Sequence, residues 1–307
     1  MVENNFEVII IGGGPAGLTA GMYASRAGLN TLLIEKGVFG GQITNAEHVE
    51  NFPGFPQGIS GIELGDLMRE QAEKYNLKIE SDEVTGIEIQ GNDKAIKTTS
   101  RTYITKALIL AGGSNRKKLG VPGENTFLGK GVSYCATCDS AFFRDMPVVV
   151  VGGGDAALTE ALHLSKHASS VTVIHRRHEL RATRILQERA FADSKIRFLW
   201  STTIAAIEGG PTVKQVKLEN VQTGRISHLE TAGVFISVGF EPATELIKNI
   251  VTLDEIGHVV TNEKMETSVT GIYAAGDIRH NSARQAITAA GDGATAAINA
   301  QKYLTER

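Results

Sequence analysis

The sequence predicts an α/β fold in which one β-turn-α-β unit is inserted into another of the same design. Three observations predict it. Residues 8–36 read VIIIGGGPAGLTAGMYASRAGLNTLLIEK and residues 148–176 read VVVVGGGDAALTEALHLSKHASSVTVIHR; the two align without a gap. Each opens with a β-branched run of the kind that fills a parallel strand buried on both faces. Each then turns on three glycines, continues at helical period and ends in a second apolar run. Lastly, the C-terminal part holds a strand-like run, GIYAAGD (271–277), and a helical pattern from about Ala283 to Tyr303, but no unit of its own. It most simply completes the first domain.

The glycines of each copy have separate tasks. Gly12 and Gly152 permit the tight turn, Gly14 and Gly154 let the backbone approach a pyrophosphate, and Gly17 and Ala157 allow close helix–strand packing. Pro15 and Ala16 open the first helix, Asp155 and Ala156 the second, and free N–H groups at a helix start suit an anion. The pattern reads as two Rossmann-like dinucleotide-binding domains, the second inserted into the first. Gly/Pro breaks at LGVPGE (119–124) and VGFEPAT (238–244) flank the second copy. The expected boundaries are 1–118 with 245–307 for the first domain and 119–244 for the second.

The ends of the second strands separate the two sites. Glu35, followed by Lys36, can accept hydrogen bonds from both hydroxyls of an adenosine ribose. The second copy has His175 there, and Arg176, Arg177 and Arg181 follow in HRRHELR. Three guanidiniums suit a dianionic 2′-phosphate, so the second site is expected to take an NADP-type cofactor. The alternative is a solvated basic helix face, since the run continues ATRILQER.

Cys135 and Cys138, in YCATCDSAFF, are the only two cysteines in 307 residues. Zinc needs four ligands, and no second Cys or Cys/His pair accompanies them. The spacing, next to the carboxylate of Asp139, suits a redox dithiol. A helix opening on this run would favour Cys138 as thiolate, and Asp139 would either move protons for the thiols or cap that helix. Apolar residues make up 42% and charged residues 21%, at a net charge of −3. That balance suits a globular chain and points to neither nucleic acid nor an anionic membrane. The start reads as a fold strand rather than a signal peptide, and two lone cysteines suggest the reducing cytoplasm.

These stretches, with GGQITNAEHVENFPGFP, IYAAGD and RQAITAAG, resemble the bacterial-type, low-molecular-weight thioredoxin reductases from end to end. The resemblance implies FAD in the first domain and NADPH in the second, with thioredoxin or a similar protein as partner and a homodimer as assembly. It implies that Gly12, Gly14, Pro15, Ala16, Glu35 and Lys36 hold the FAD pyrophosphate and ribose. Gly41, Gln42 and Asn51 would run beside the flavin and ribityl chain, Val84 would meet the adenine, and Gly113 would stand at the domain exit. Gly276 and Asp277 would lie at the ribityl hydroxyls, and Arg284, Gln285 and Ala286 at the pyrimidine edge. Electrons would pass from NADPH through the flavin to the Cys135–Cys138 disulfide, with Cys138 nearer the flavin. The dithiol and the NADPH site share the inserted domain, so they can use the flavin only in turn or from opposite faces, and rotation of that domain is the economical answer. The chain departs from the family at Ser140, where Gly is common, and at Ala283, where Tyr is common. A dithiol oxidase would not need the arginine cluster, and a ferredoxin–NADP reductase would leave the cysteine pair idle. A nucleotide or redox sensor would need fewer intact motifs.

Overall fold

The computed structural model describes residues 4–306. Residues 1–3 and 307, which belong to the expected first domain, lie outside the described residues. The chain divides into two compact units: residues up to Asn115 together with those from Glu241 onward, and Arg116–Phe240.

The first unit opens β1 (Asn5–Ile11), α1 (Pro15–Arg26), β2 (Thr31–Glu35), α2 (Gly61–Glu73) and β3 (Lys78–Ser81). A meander follows: β4 (Val84–Gln90), β5 (Asp93–Thr98) and β6 (Thr102–Leu110). The chain then passes through β7 (Ser114–Arg116) into the second unit. There β8 (Val132–Ser133) leads to α3 (Ala136–Asp139), then β9 (Pro147–Val151), α4 (Asp155–Ser165), β10 (Ser170–Ile174), α5 (Arg184–Ala192) and β11 (Ile196–Leu199). Three more strands, β12 (Thr202–Gly209), β13 (Val213–Asn220) and β14 (Ile226–Glu230), form an antiparallel sheet, and β15 (Gly233–Ile236) closes the unit. The return runs through β16 (Phe240–Pro242), β17 (Ile272–Ala274) and α6 (Ala286–Thr305).

The first sheet runs in the order β3-β2-β1-β6-β5-β4, with β17 also paired to β6. β1 lies parallel to both β2 and β6. Its alternate residues enter two cores: Val8 and Ile10 pack on the α1/α6 side, and Ile9 packs with Leu32, Ile34 and Leu108 on the other. This is why the run is apolar without alternation. The second sheet, β11-β10-β9-β15-β8, repeats the plan. Val148 and Val150 face α4, while Val149 and Val151 face the core beneath the antiparallel sheet. No described helix is long and apolar enough to cross a membrane.

In the first unit α1 and α6 pack backbone to backbone. A Cβ on Gly293 would lie 2.1 Å from Ala16 O and 3.1 Å from Ala20 N. Both contacts are backbone atoms, which cannot swing aside. Gly293→Ala is therefore expected to destabilise the first unit by about 3 kcal/mol, at the upper end of overpacking costs. Calorimetry should show a thermal midpoint lower by several degrees. An unchanged midpoint would mean that the helices can part at no cost.

Candidate active site: two glycine cradles and a dithiol turn

In the first unit Gly12 has φ +109°, and a Cβ there would sit 2.3 Å from Ala111 O. The turn therefore admits only glycine. α1 starts from Gly14, with Pro15 as its first residue and no side-chain cap. A Cβ on Gly14 would meet nothing nearer than Gly40 O at 4.0 Å. Uncapped N–H groups facing open space fit a pyrophosphate. Glu35 ends β2, and its two carboxylate oxygens accept Gly13 N–H and Gly37 N–H, each at 2.6 Å. These bonds hold the acid beside the cradle. Lys36 points away into an exposed ion pair with Glu83 at 3.2 Å.

Gly41 backs onto Gly14, since a Cβ on it would lie 3.2 Å from Gly14 Cα. Gln42 donates to Ser114 O at 3.3 Å, and Asn51 donates to Gln285 Oε1 at 3.0 Å. Val84 is buried at the start of β4. Gly113 has φ +63° with nothing within 4 Å of its Cβ position. A Cβ on Gly276 would come 3.0 Å from that of Ala16, so Gly276 and Asp277 adjoin the first turn of α1. Burial pushes the Asp277 carboxyl above its usual range, against the pull of Ser282 and Arg284. Asp292 of α6 fixes this corner by accepting Arg279 Nε at 2.6 Å, Arg279 Nη2 at 2.8 Å and Gly276 N–H at 3.1 Å. Gln285 stands just before α6 and Ala286 opens it, again without a side-chain cap. Arg284 holds φ +54°, a left-handed conformation that turns the chain into the helix. Ala283 is exposed.

The second unit repeats the cradle. A Cβ on Gly152 would lie 2.3 Å from Ser237 O, whereas one on Gly154 would meet nothing within 4 Å. α4 starts from Gly154 without a side-chain cap, and Asp155 and Ala156 expose its first turn. Asp155 accepts Thr183 N–H at 2.6 Å. His175 follows β10 and is buried, with its ring filling the space above Gly153 and its Nε2 unpartnered. Burial, and then the charges of Arg181, Arg176 and Arg177, push its imidazole below the usual range.

The segment after His175 is not the start of a helix. Residues 175–183 form a loop, and α5 begins only at Arg184. The loop folds back because Arg181 N–H and Ala182 N–H both donate to Gly153 O, at 2.7 and 3.2 Å. Arg176, Arg177 and Arg181 are thus exposed around the cradle, and none forms an ion pair among the described residues.

Cys135 and Cys138 form a disulfide with Cα atoms 5.4 Å apart. The helix α3 does open here, but its capping residue is Cys135, and Cys138 N–H donates to Cys135 Sγ at 3.2 Å. A backbone donor therefore lies on Cys135 Sγ and favours charge there. A capping side chain accepts from the third residue into the helix, and here that residue is Cys138. Asp139 ends α3, and its side chain makes no capping hydrogen bond. No described group of three or more His, Cys, Asp or Glu could hold a metal.

Two anchors of this turn have no motif. Upstream, Ser133 Oγ accepts Cys135 N–H at 2.9 Å, and Tyr134, next to Cys135, donates its hydroxyl to buried Glu124. Glu124 also accepts Leu119 N–H at 2.9 Å and Gly120 N–H at 2.7 Å. These bonds fold the LGVPGE break onto the second unit. Downstream, Ser140 is buried with its hydroxyl 2.9 Å from His163 Nε2 on α4. One turn earlier on α4, Glu160 accepts Arg116 Nη1 at 2.6 Å and Ser237 Oγ at 2.5 Å. Burial holds the Glu160 carboxyl above its usual range despite the nearby guanidinium.

Burial acts to raise the Glu124 carboxyl, but the bonds from Tyr134, Leu119, Gly120 and Val121 hold it below its usual range. A carboxyl depressed on folding adds stability above its unfolded value, near 4.5, and that stability is lost as pH falls through the folded value. Glu124→Gln should destabilise the chain at pH 7 by about 1–3 kcal/mol, the cost of leaving buried partners unpaired. In urea unfolding the gap from the parent should persist down to about pH 5 and shrink in stronger acid. A gap constant across this range would remove the carboxylate from the account.

The profile of the pyridine nucleotide-disulphide oxidoreductase family matches residues 6–293. The thioredoxin reductase of Bacillus subtilis (strain 168) is 48% identical over 306 residues, covering 99% of this chain and 96% of that one. Among solved structures, Lactococcus lactis thioredoxin reductase in its FR conformation superposes with a TM-score of 0.96 at 44% identity, covering 98% of this chain and all of that one. The thioredoxin reductase of T. acidophilum gives 0.93 at 36% identity, with 99% of each chain covered. Two glycine cradles, a disulfide in the second unit and similarity over the whole length lead to one conclusion: the chain belongs to the pyridine nucleotide-disulphide oxidoreductases, and within them to the thioredoxin reductases.

Proposed function

We propose that this chain is an NADPH-dependent flavoenzyme of the cytoplasm, working as a homodimer, that reduces the disulfide of thioredoxin or a thioredoxin-like protein. The observation that carries this reading is the Cys135–Cys138 disulfide, in the same unit as a cradle bordered by three arginines that form no ion pair among the described residues. FAD would bind on the first unit, at Gly12, Gly14, Pro15, Ala16, Glu35, Gly41, Gln42, Asn51, Val84, Gly113, Gly276, Asp277, Arg284, Gln285 and Ala286. NADPH would bind on the second, at Gly152, Gly154, Asp155, Ala156, His175, Arg176, Arg177 and Arg181. When bound, the two cofactors supply a hydride donor and a two-electron relay.

The chain's own residues do the rest. Opening the disulfide takes up two electrons and two protons, and closing it on a partner disulfide returns both. Cys138 N–H lies on Cys135 Sγ and favours charge there, which suits Cys135 as the sulfur that attacks the partner. Asp139 is half-exposed and uncommitted to a cap, so it is free to hold and return a thiol proton. Phe142, 75% exposed four residues after Cys138, offers an apolar platform to a protein partner. Arg176, Arg177 and Arg181 would bind a 2′-phosphate, and neutral His175 would pack above the turn. Alternation of the two units is part of this reading, because Cys138 and Gly154 belong to one unit and Glu35 to the other.

The test is NADPH oxidation by purified, flavin-loaded protein with and without thioredoxin, and with NADH in place of NADPH. Turnover is expected only with thioredoxin and with a strong preference for NADPH. Cys135→Ser and Cys138→Ser should abolish it. Arg176→Ala combined with Arg181→Ala should raise KM for NADPH at least about tenfold, from the loss of charge-assisted bonds, and leave NADH unaffected. Equal rates with both nucleotides would refute the arginine assignment. Asp139→Asn should cut turnover about 100-fold if it moves the proton. Full turnover in that variant would remove it from the mechanism.

A further inference from the structure

The turn that carries the dithiol is too short to hold itself. α3 has four residues, and a single helical turn is not stable alone. In the disulfide form the S–S bond closes this turn covalently. In the dithiol form that constraint is gone, and the placement of Cys138 N–H on Cys135 Sγ depends on what fixes the flanks. Upstream the flank is fixed by Ser133 and by the Tyr134–Glu124 bond. Downstream, the one side chain immediately after α3 is Ser140. It is 5% exposed, and its hydroxyl meets His163 Nε2 at 2.9 Å across 23 residues of sequence. His163 is itself 8% exposed, in the third turn of α4. That helix therefore carries the glycine cradle at its start and this anchor further along.

We propose that the Ser140–His163 hydrogen bond is a positioning contact for the working dithiol, keeping Cys138 N–H on Cys135 Sγ after the disulfide opens. It rests on the reading of Cys135–Cys138 as the redox pair. The contact joins a hydroxyl to a ring nitrogen, either of which can donate or accept. The charged and titratable groups around it are Glu160 with its partner Arg116 one turn earlier on α4, His167 one turn later with ring centroids 5.5 Å apart, and Asp139 beside Ser140 in the chain. A glycine at position 140 would leave the buried His163 Nε2 without this partner, so Ser140 and His163 form a matched pair.

The experiment follows alkylation of the reduced, flavin-loaded enzyme. The protein is reduced with dithiothreitol, desalted anaerobically and treated with iodoacetamide across a pH series, with Cys135 and Cys138 peptides resolved by mass spectrometry. Ser140→Ala and His163→Leu are each expected to raise the alkylation midpoint of Cys135 by about half a pH unit or more, equal to about a threefold loss of thiolate at neutral pH. Ser140→Thr keeps the hydroxyl and should restore the parent midpoint. Flavin content and the rate of flavin reduction by NADPH should stay within about twofold of the parent, because neither residue lies in a cradle. An unchanged Cys135 midpoint in Ser140→Ala, or a Ser140→Thr midpoint shifted as far as that of Ser140→Ala, overturns the proposal. Should His163→Leu fail to fold, the Ala/Thr pair at position 140 decides alone. The failure of NADPH-driven thioredoxin reduction by the parent enzyme would instead overturn the proposed function and leave the alkylation result intact.

Discussion

Gly14 and Gly154 stand at the starts of helices whose first N–H groups receive no side-chain cap, and each helix leaves a strand buried on both faces. An uncapped helix start costs stability unless water or a ligand meets its N–H groups. Serine or aspartate at either position would cap the helix and fill the space at once. The chain keeps glycine there instead, and much of each unit follows from that choice. The preceding turn must bring backbone against backbone, as at Gly12 over Ala111 O and Gly152 over Ser237 O. Around the first cradle α1 and α6 must approach closely enough to exclude a Cβ at Gly293. The acid at Glu35 is locked by two N–H groups, so it faces the cradle and cannot move to cap the helix.

The dithiol turn answers a different constraint. A reactive cysteine pair must alternate between a crosslinked and an open form while its geometry stays fixed, and four residues of helix cannot supply that. The second unit therefore surrounds the turn with buried polar bonds: Glu124 gathers Leu119, Gly120 and Tyr134 before it, and Ser140 meets His163 after it. Buried polar groups of this kind specify a single arrangement because any other leaves them unpaired. Their cost is limited by full pairing, as at Glu160, which has both Arg116 and Ser237.

The repeat, the two glycine turns and the cysteine pair were legible in the sequence because each is local: strand, turn and helix lie within thirty residues and carry their own periodicity. What was not legible is what depends on distance. Nothing marks His163 as a partner of Ser140 across 23 residues, and Glu124 lies in a Gly/Pro stretch that reads as a linker. ATRILQER has helical composition, which admits the alternative of a helix that starts among the arginines. The competing interaction is Gly153 O, which takes Arg181 N–H and Ala182 N–H and holds residues 175–183 as a loop. Cys135 caps α3 because it stands three residues before Cys138 N–H, whereas Asp139 is the last residue of that helix.

The two units also differ in how they treat charge at the same register. After β2, Lys36 pairs with Glu83, and Glu35 is held beside the cradle. After β10, three arginines form no ion pair among the described residues, and burial together with their charges pushes the His175 imidazole below its usual range. Like charges clustered on an exposed loop repel one another, so a fold gains nothing from them by itself. The same acid–base pairing used at Lys36 could have been used here, and acids are plentiful at 34 Asp and Glu against 31 Lys and Arg. An unpaired positive field beside an uncapped helix is what a dianionic group would meet with the least rearrangement. A ribose with free hydroxyls would meet a carboxylate at Glu35, whereas at His175 the one unpartnered ring nitrogen is buried in a ring held over the turn. The asymmetry between two copies of one motif is therefore electrostatic, and it lies in the few residues that follow each second strand.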